Sequence, residues 1–581
     1  MKQLMLGNAA VARGLYEAGC RFVSSYPGTP STEITEEAAK YDEIYAEWAP
    51  NEKVAFEAAA GAAIGGARSF CAMKHVGLNV AADPLFTVSY TGLNAGMVIA
   101  VADDQGMASS QNEQDSRHYA RAAKLPMLEP SDSQECLDFV KAAYDLSEEY
   151  DTPVLLRMSI RVDHSQTAVE PGERQERGLV PYEKKAAKYV MLPANAIPRH
   201  VVVEDNMARL AAAAEKSGLN RTELGDTSIG FVTAGICYQY VREIFPDASV
   251  LKLGLVWPLP VELIRDFAAK VDKLVVVEEL DPFIENHLRA NGIRVDAGKD
   301  ITGLLGEMSQ EKLAAAMGLA VRANEEFGEP VPGRPPVLCP GCPHRGTYYS
   351  LHKMGLTVFG DIGCYTLGAL APLAALDTTL CMGASISGMH GFNTVRGTDS
   401  ARTTVGVIGD STFMHSGITG LIDIVYNKGI STVIILDNSI TGMTGHQQNP
   451  TTGKTLKGQS THAVSLEAIC AAAGVERVSV VDPYDMKELQ HVVKQELEAE
   501  APSVIIARRP CVLLPQVKAQ PPLTVDGEKC RSCRSCMKIG CSAINFDGKA
   551  FIDKTLCVGC GLCVQMCAFG AITEQEGNAN G

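Results

Sequence analysis

Two groups of residues in this 581-residue chain have the types and spacing to do chemistry. The first is a set of thiols. Eight of the 18 cysteines crowd between Cys530 and Cys567. Cys530, Cys533 and Cys536 stand three positions apart, and so do Cys557, Cys560 and Cys563. Each triplet has a fourth cysteine downstream, Cys541 and Cys567. Such crowding argues for reduced thiolates holding metal rather than for disulfides of a secreted protein. Iron–sulfur clusters and a pair of zinc sites both use thiolates at this spacing. The second group is Asp410 with Asn438. A carboxylate and an amide carbonyl are oxygen ligands suited to Mg²⁺, an ion that also takes phosphate oxygens.

The elements around Asp410 explain why two residues 28 positions apart belong together. Thr404–Ile408 is a short β-branched run that reads as a buried strand. Gly409-Asp410-Ser411 breaks it. An amphipathic helix follows, with Phe413, Ile418, Leu421, Ile422 and Val425 at helical spacing. Thr432–Leu436 is a second strand, ending on Asp437-Asn438. A strand–helix–strand crossover makes the strands parallel, so both turns lie at the carboxyl ends, where open α/β sheets bind ligands. Gly409 lets the backbone approach a ligand, and the helix N-terminus faces phosphates. The plain alternative is an ordinary crossover with an aspartate capping its helix.

Composition narrows the class. At roughly 100–200 residues per domain the chain predicts three to five domains. Net charge is −16 and no long basic block occurs, which disfavours nucleic acid and anionic membrane surfaces. No apolar stretch is long enough to span a bilayer, and the N-terminus lacks the features of a secretory signal. A cytoplasmic location is expected. Gly453-Lys454-Thr455 lacks the upstream glycine of a phosphate loop, since position 448 is Gln448, and no dinucleotide fingerprint follows a strand.

In chain order, residues 1–175 predict an α/β domain. Arg21–Tyr26 is a strand that runs into Pro27-Gly28-Thr29-Pro30, and Ser31 with Glu33 opens a helix. Asn51–Arg68 is a helix of very small residues carrying Glu57, with Glu52 five positions earlier. A carboxylate in such a tightly packing helix needs a partner. The polar loop after the strand Val98–Ala102 could line a substrate pocket with Arg117 facing a carboxylate, the plainer reading being a solvated loop. Residues 165–200 are charged and Pro-containing and read as a linker. Three strands within 195–320 (IGFVTAG, SVLKL, KLVVVE) predict a second α/β domain. A Pro-rich joint precedes a third, 337–515, which contains Cys339, Cys342, Cys364 and Cys511 as well as Asp410 and Asn438. A two-cysteine hook with two distant cysteines can ligate Zn²⁺ or a [4Fe–4S] cluster, or be buried thiols alone. The tail, 521–581, carries the eight clustered cysteines.

These pieces resemble one family in its own order. Gly409-Asp410-Ser411 with Asp437-Asn438 resembles the thiamine diphosphate motif, which implies Mg²⁺ held by Asp410, Asn438 and the carbonyl of Ile440, with Gly409 and Ser411 at the diphosphate. YPGTPSTEI resembles the N-terminal domain of 2-oxoacid:ferredoxin oxidoreductases, which implies that Thr29 touches the substrate. The same resemblance assigns Glu57, with Glu52 as the alternative, to hydrogen-bond N1′ of the aminopyrimidine. VTAG, LVWPLP and VVVEE resemble the transketolase C-terminal-like domain. The hook implies a third cluster at Cys339, Cys342, Cys364 and Cys511, although Pro343-His344-Arg345 departs from the family's usual sequence. The tail resembles a two-cluster bacterial ferredoxin, in which the fourth cysteine serves the other cluster. That pairs Cys530, Cys533 and Cys536 with Cys567, and Cys557, Cys560 and Cys563 with Cys541. The long gap from Cys536 to Cys541 is itself a feature of indolepyruvate:ferredoxin oxidoreductase α subunits.

The resemblance covers the whole chain. It implies three doubly wound α/β domains, two of them thiamine-binding and one transketolase C-terminal-like, plus a small α+β ferredoxin domain with two [4Fe–4S] clusters. The implied reaction is CoA-dependent oxidative decarboxylation of an aryl-2-oxoacid such as indolepyruvate, with electrons passed to ferredoxin and a β subunit as partner. The alternatives are another 2-oxoacid, such as pyruvate or phenylglyoxylate, and a non-redox thiamine diphosphate decarboxylase or ligase.

Overall fold

A computed structural model describes residues 1–321 and 328–574, which fall into two compact units dividing near residue 326. Residues 575–581 of the expected tail lie outside the described residues.

The first unit holds two main sheets. The larger has seven strands in the order Leu255–Trp257, Met127–Leu128, Val154–Ser159, Met97–Asp103, Ser69–Lys74, Phe22–Ser25 and Tyr45–Trp48. The last six run parallel. Ser69–Lys74, Met97–Asp103 and Val154–Ser159 are buried along their whole length, the pattern of parallel strands covered on both faces. The second sheet orders Leu274–Val277, Asp226–Ala234, Ala248–Leu253 and the antiparallel edge Arg221–Glu223. The segment LVWPLP does not extend that sheet. Leu255–Trp257 crosses to the larger one and pairs antiparallel with Met127–Leu128, Leu255 opposite Leu128. One apolar core therefore joins Phe56, Met97 and Leu155 of the first sheet's layers to Val232, Leu251 and Phe267 of the second's.

Residues 165–200 are not the linker that composition predicts. Gln166–Val169 pairs antiparallel with Gln3–Leu6. Gly172 N–H and Lys141 bind the buried Glu17, and Arg174 donates to the carbonyls of Tyr16 and Cys20. A 22-residue helix begins at Pro193 and continues through Pro198. Arg174 and the Gly172 N–H thus strap this segment to helix Gly7–Glu17 and the turn that follows it.

The second unit is built on a parallel six-stranded sheet ordered Thr378–Thr379, Thr357–Gly360, Thr404–Gly409, Thr432–Asp437, Ser503–Arg508 and Arg477–Val481. Thr404–Gly409 and Thr432–Asp437 are neighbours with Gly409 opposite Leu436, so Asp410 and Asn438 leave adjacent strands at one end. The helix after Asp410 is not uniform. Asp410–Thr412 and Ile418–Tyr426 are α-helical, and Phe413–Gly417 between them is a π turn, a widening frequent at functional sites. The tail closes on itself through two antiparallel pairs, Leu523–Val525 with Ile572–Glu574 and Ile544–Asp547 with Lys549–Ile552. It docks on the six-stranded block, where Gln565 donates to the Tyr484 carbonyl at 2.6 Å and accepts from Met486 N–H at 3.2 Å. Met486 itself sits in the tail's core.

Candidate active site

Gly409 must lack a side chain, because a Cβ there would lie 2.7 Å from the Tyr365 ring. The next residue, Asp410, is buried, and its Oδ2 accepts from Asn449 Nδ2 at 3.4 Å and Thr451 Oγ1 at 3.3 Å. Burial, helped by the neighbouring Asp437 carboxylate, raises its pKa to about 7. Asp437 is itself paired with Arg508, whereas the donors to Asp410 are neutral. A buried carboxylate served only by neutral donors suits a bound cation. Asn438 Oδ1 accepts from Ile440 N–H, and its backbone carbonyl accepts from Cys511 N–H. Ser439 takes a left-handed φ of 60°, which turns the chain back over the strand ends. Thr441 can then donate to Ser411 Oγ at 2.8 Å, and Asn449 reaches both Thr441 and Asp410.

Asn449 and Thr451 are absent from the sequence-based site. The polar run Gln447–Thr452 was the available signal, but nothing local says that it folds back. Asp361 was also missed. It ends the strand beside Thr404–Gly409 and accepts the N–H groups of Gly383 and Ser385, each at 3.0 Å, so it caps the start of helix Ala384–Arg396.

In the first unit the Thr29 turn follows the strand Phe22–Ser25 and is pinned by Asn8, which donates to the Pro30 carbonyl at 2.7 Å, and by Ser31, which donates to the Gly28 carbonyl. Two expectations change here. Glu57 is not held inside the packed helix. Its side chain is 48% exposed and ion-paired with Lys53 one turn earlier. Glu52, the first residue of helix Glu52–Ile64, is 5% exposed and lies against Gly77. Five residues turn an α-helix by about 140° past a full turn, so the two glutamates cannot share a face. Arg117 does not face an open pocket. It is fully buried against Asp115, Glu278 and the carbonyls of Glu279 and Asp281, and so braces one sheet against the other. Beside the Thr29 turn stands Lys74, at the end of its strand, with its Cβ 3.2 Å from where a Gly28 Cβ would stand. Its ammonium pairs with Asp104 at 3.3 Å and donates to the Ser109 carbonyl at 2.8 Å.

The eight tail cysteines frame two cavities. One is lined by Cys530, Cys533, Cys536 and Cys567, the other by Cys541, Cys557, Cys560 and Cys563. Apolar neighbours such as Ile544, Ile552 and Leu562 complete the second. Four sulfurs around a space in an apolar shell suit a cuboidal iron–sulfur cluster. Cys342 N–H donates to the Cys339 carbonyl at 3.1 Å, Cys511 N–H donates to the Asn438 carbonyl at 2.9 Å, and a Cβ on Gly442 would touch both Cys364 Sγ, at 3.4 Å, and the Asn438 side chain. Burial pushes Cys342 up to about 12 and Cys364 up to about 11, and neighbouring thiols add to this: Cys339 and Cys364 act on Cys342, Cys511 and Cys339 on Cys364. Cys511 is raised by burial and by Cys339. The departure in the sequence after the hook is structural. His344 is buried edge-on to Tyr365, and burial lowers its pKa to about 4.

The comparisons with known proteins follow the same division of the chain. Residues 13–223 match the thiamine diphosphate-binding model of pyruvate flavodoxin/ferredoxin oxidoreductases, and 361–507 match the C-terminal TPP-binding domain of thiamine pyrophosphate enzymes. Residues 550–573 match a 4Fe-4S binding domain. The indolepyruvate oxidoreductase subunit IorA of Archaeoglobus fulgidus is 39% identical, covering 99% of this chain and 98% of that protein. The IorA of Methanothermobacter thermautotrophicus is 41% identical, covering 99% and 97%.

The chain belongs to the IorA family of indolepyruvate oxidoreductase subunits.

As an IorA chain it is a thiamine diphosphate-dependent, iron–sulfur 2-oxoacid:ferredoxin oxidoreductase subunit. The likeness beyond the family is shorter: the 2-oxoglutarate synthase subunit KorA of M. thermautotrophicus is 26% identical over 47% of this chain and 86% of its own length. Among the described residues no helix is long and apolar enough to cross a membrane.

Proposed function

We propose that this chain, with a β subunit, converts indolepyruvate or a related aryl-2-oxoacid, CoA and two oxidised ferredoxins into the arylacetyl-CoA, CO₂, two reduced ferredoxins and a proton. The observation that carries the reading is the buried Asp410, served by neutral donors at paired strand ends, in the same compact unit as the two four-cysteine cavities. The name of the IorA relatives supports the aryl preference, and the resemblance to 2-oxoacid:ferredoxin oxidoreductases supports CoA.

When bound, thiamine diphosphate supplies the electron sink that lets a 2-oxoacid lose CO₂, and iron–sulfur clusters take the resulting electrons one at a time. The chain's own residues hold and tune these groups. Asp410, the Asn438 side chain and the Ile440 carbonyl are the Mg²⁺ ligands, and Asn449 and Thr451 orient the Asp410 carboxylate. Gly409 and Ser411 lie beside the diphosphate at the helix N-terminus. Glu52, in place of Glu57, holds the proton on N1′ of the aminopyrimidine. Thr29 and Lys74 receive the substrate's carbonyl and carboxylate, a neutral donor beside a partly desolvated ammonium. Cys530, Cys533, Cys536 and Cys567 ligate one [4Fe–4S] cluster, and Cys541, Cys557, Cys560 and Cys563 the other. Cys339, Cys342, Cys364 and Cys511 hold a third.

The test is ferredoxin reduction by the purified αβ complex, with CoA, across a panel of 2-oxoacids. Indolepyruvate and other aryl substrates should dominate kcat/KM. Preference for pyruvate or 2-oxoglutarate would overturn the aryl reading, and CO₂ release without ferredoxin reduction would favour the non-redox alternative.

A further inference from the structure

The hook and the tail meet at a glycine and an arginine. Gly341, between the two hook cysteines, has a φ of 68°, and a Cβ there would stand 2.2 Å from Val558 Cγ2 and 3.6 Å from the Cys560 Cβ. The loop of the second triplet thus rests on the backbone of the hook. Arg345 follows at the start of helix His344–Met354 and is 2% exposed. Its Nε donates to the Cys339 carbonyl at 3.0 Å and its Nη2 to the Leu338 carbonyl, both on the hook. Its Nη1 donates to the carbonyls of Ile539, at 3.3 Å, and Gly540, immediately before Cys541. All four partners are neutral carbonyls. Arg345 also lines the cavity framed by Cys541, Cys557, Cys560 and Cys563. A buried cation with only dipoles for partners is costly unless an anion stands near.

We propose that Arg345 is the positioning residue of the electron outlet: it clamps the cluster of Cys541, Cys557, Cys560 and Cys563 against the Cys339–Cys342 hook and stabilises that cluster's reduced form. This rests on the functional reading above. An electron released by substrate oxidation in the thiamine-binding block would reach this inner cluster by way of the third cluster at the hook, adding one negative charge to the inner cluster on its reduction. It then passes to the cluster of Cys530, Cys533, Cys536 and Cys567 and leaves to ferredoxin, the oxidant of the reaction. A fixed cation against the inner cluster favours the more negative, reduced state, because nearby charge and hydrogen bonding set cluster potentials. The hook, through Gly341 and Arg345, meets the second triplet's loop, and this contact orders the two tail clusters as inner and outer.

The experiment is an electron paramagnetic resonance redox titration of the αβ holoenzyme carrying R345Q or R345K. Cys563→Ala and Cys533→Ala assign the signals of the two tail clusters. R345Q should keep its iron and lower the midpoint potential of the cluster that Cys563→Ala removes, leaving the other tail cluster at its wild-type value. R345K, which keeps the charge with fewer contacts, should restore most of the shift. Equal potentials in wild type and R345Q would overturn the proposal, and so would a shift confined to the cluster that Cys533→Ala removes. If R345Q loses iron, R345K decides: iron and potential retained support the role of charge, and iron lost from both reduces Arg345 to a structural brace and overturns it. A wild-type complex that holds no iron, or that fails to oxidise 2-oxoacids, would overturn the functional reading instead.

Discussion

The Glu52 carboxylate lies so close to Gly77 that a Cβ on the glycine would stand 2.6 Å from Glu52 Oε1. Glu57, by contrast, reaches solvent and Lys53. This contact selects between two glutamates on one helix. Glu52→Gln should leave thiamine diphosphate bound and slow exchange of its C2 proton by about 10²–10⁴-fold, the range for loss of a positioned acid–base group. Glu57→Gln should exchange at close to the wild-type rate. Proton exchange followed by nuclear magnetic resonance on the loaded complex reads both; slow exchange in Glu57→Gln alone would reverse the assignment.

How far such a site is legible in a sequence depends on how local it is. Asp410 and Asn438 could be paired because a single strand–helix–strand crossover contains both, and its periodicity fixes which strand ends they occupy. The tail's ligand sets were legible because spacing alone carries them. Glu57 misled because small residues on either side hide which face of the helix is packed, and that face is set by Gly77, 20 positions downstream of it. Arg117 looked free because its partner, Glu278, stands 161 residues downstream. LVWPLP resembles part of the second α/β domain, and only the tertiary fold shows Leu255–Trp257 pairing with Met127–Leu128. Asn449 and Thr451 needed the left-handed turn at Ser439, which no local signal announces.

Asp410→Ala should lose Mg²⁺ and thiamine diphosphate together, because the proposed metal ligand and the diphosphate's counter-ion disappear in one step. Asn449→Ala should weaken binding about 10–100-fold, as loss of a group that orients a metal ligand does. Titration calorimetry measures both. Tight, Mg²⁺-independent cofactor binding by Asp410→Ala would remove the metal role from this strand end.

Lys74→Met is expected to raise KM for 2-oxoacids by at least about tenfold with a smaller change in kcat, the pattern of an interaction made in both the ground and transition states. Asp104→Asn separates that effect from the burial of an unpaired carboxylate, since it frees Lys74 without removing it. An unchanged KM in Lys74→Met would mean that the substrate carboxylate is received elsewhere.

Glu17 gives a pH-dependent prediction away from the site. Burial works against its charge, but Lys141, Arg13 and the Gly172 N–H outweigh it and hold the carboxyl below its usual 4.5. A depressed folded-state pKa contributes stability that is present above about 4.5 and lost as pH falls through the folded value. Glu17→Gln should therefore loosen residues 165–180 at neutral pH by about 1.5–3 kcal/mol, the range for hydrogen bonds to a charged group. The difference from wild type should shrink below the unfolded value. Amide hydrogen exchange of the strap, measured at several pH values, follows this directly.

The final prediction concerns the crossing of ligands in the tail. Cys541 follows Cys536 by only five positions, yet it lines the cavity of the second triplet, while Cys567, next after Cys563, lines the cavity of the first. The crossing has a structural cause. Gly540, with a φ of 68°, and Ile539 offer their carbonyls to Arg345, which carries the following Cys541 towards the hook and away from Cys530 and Cys533. Cys541→Ala should therefore damage the cluster that Cys563→Ala also damages and spare the one bound by Cys530 and Cys533. Cys567→Ala should do the opposite. Iron content should fall by about half or less in each, and resonance spectra of the reduced proteins should change in complementary ways. If Cys541→Ala instead perturbed the signal that depends on Cys533, each run of cysteines would serve its own cluster, and the inner position proposed for the second triplet would lose its link to Arg345.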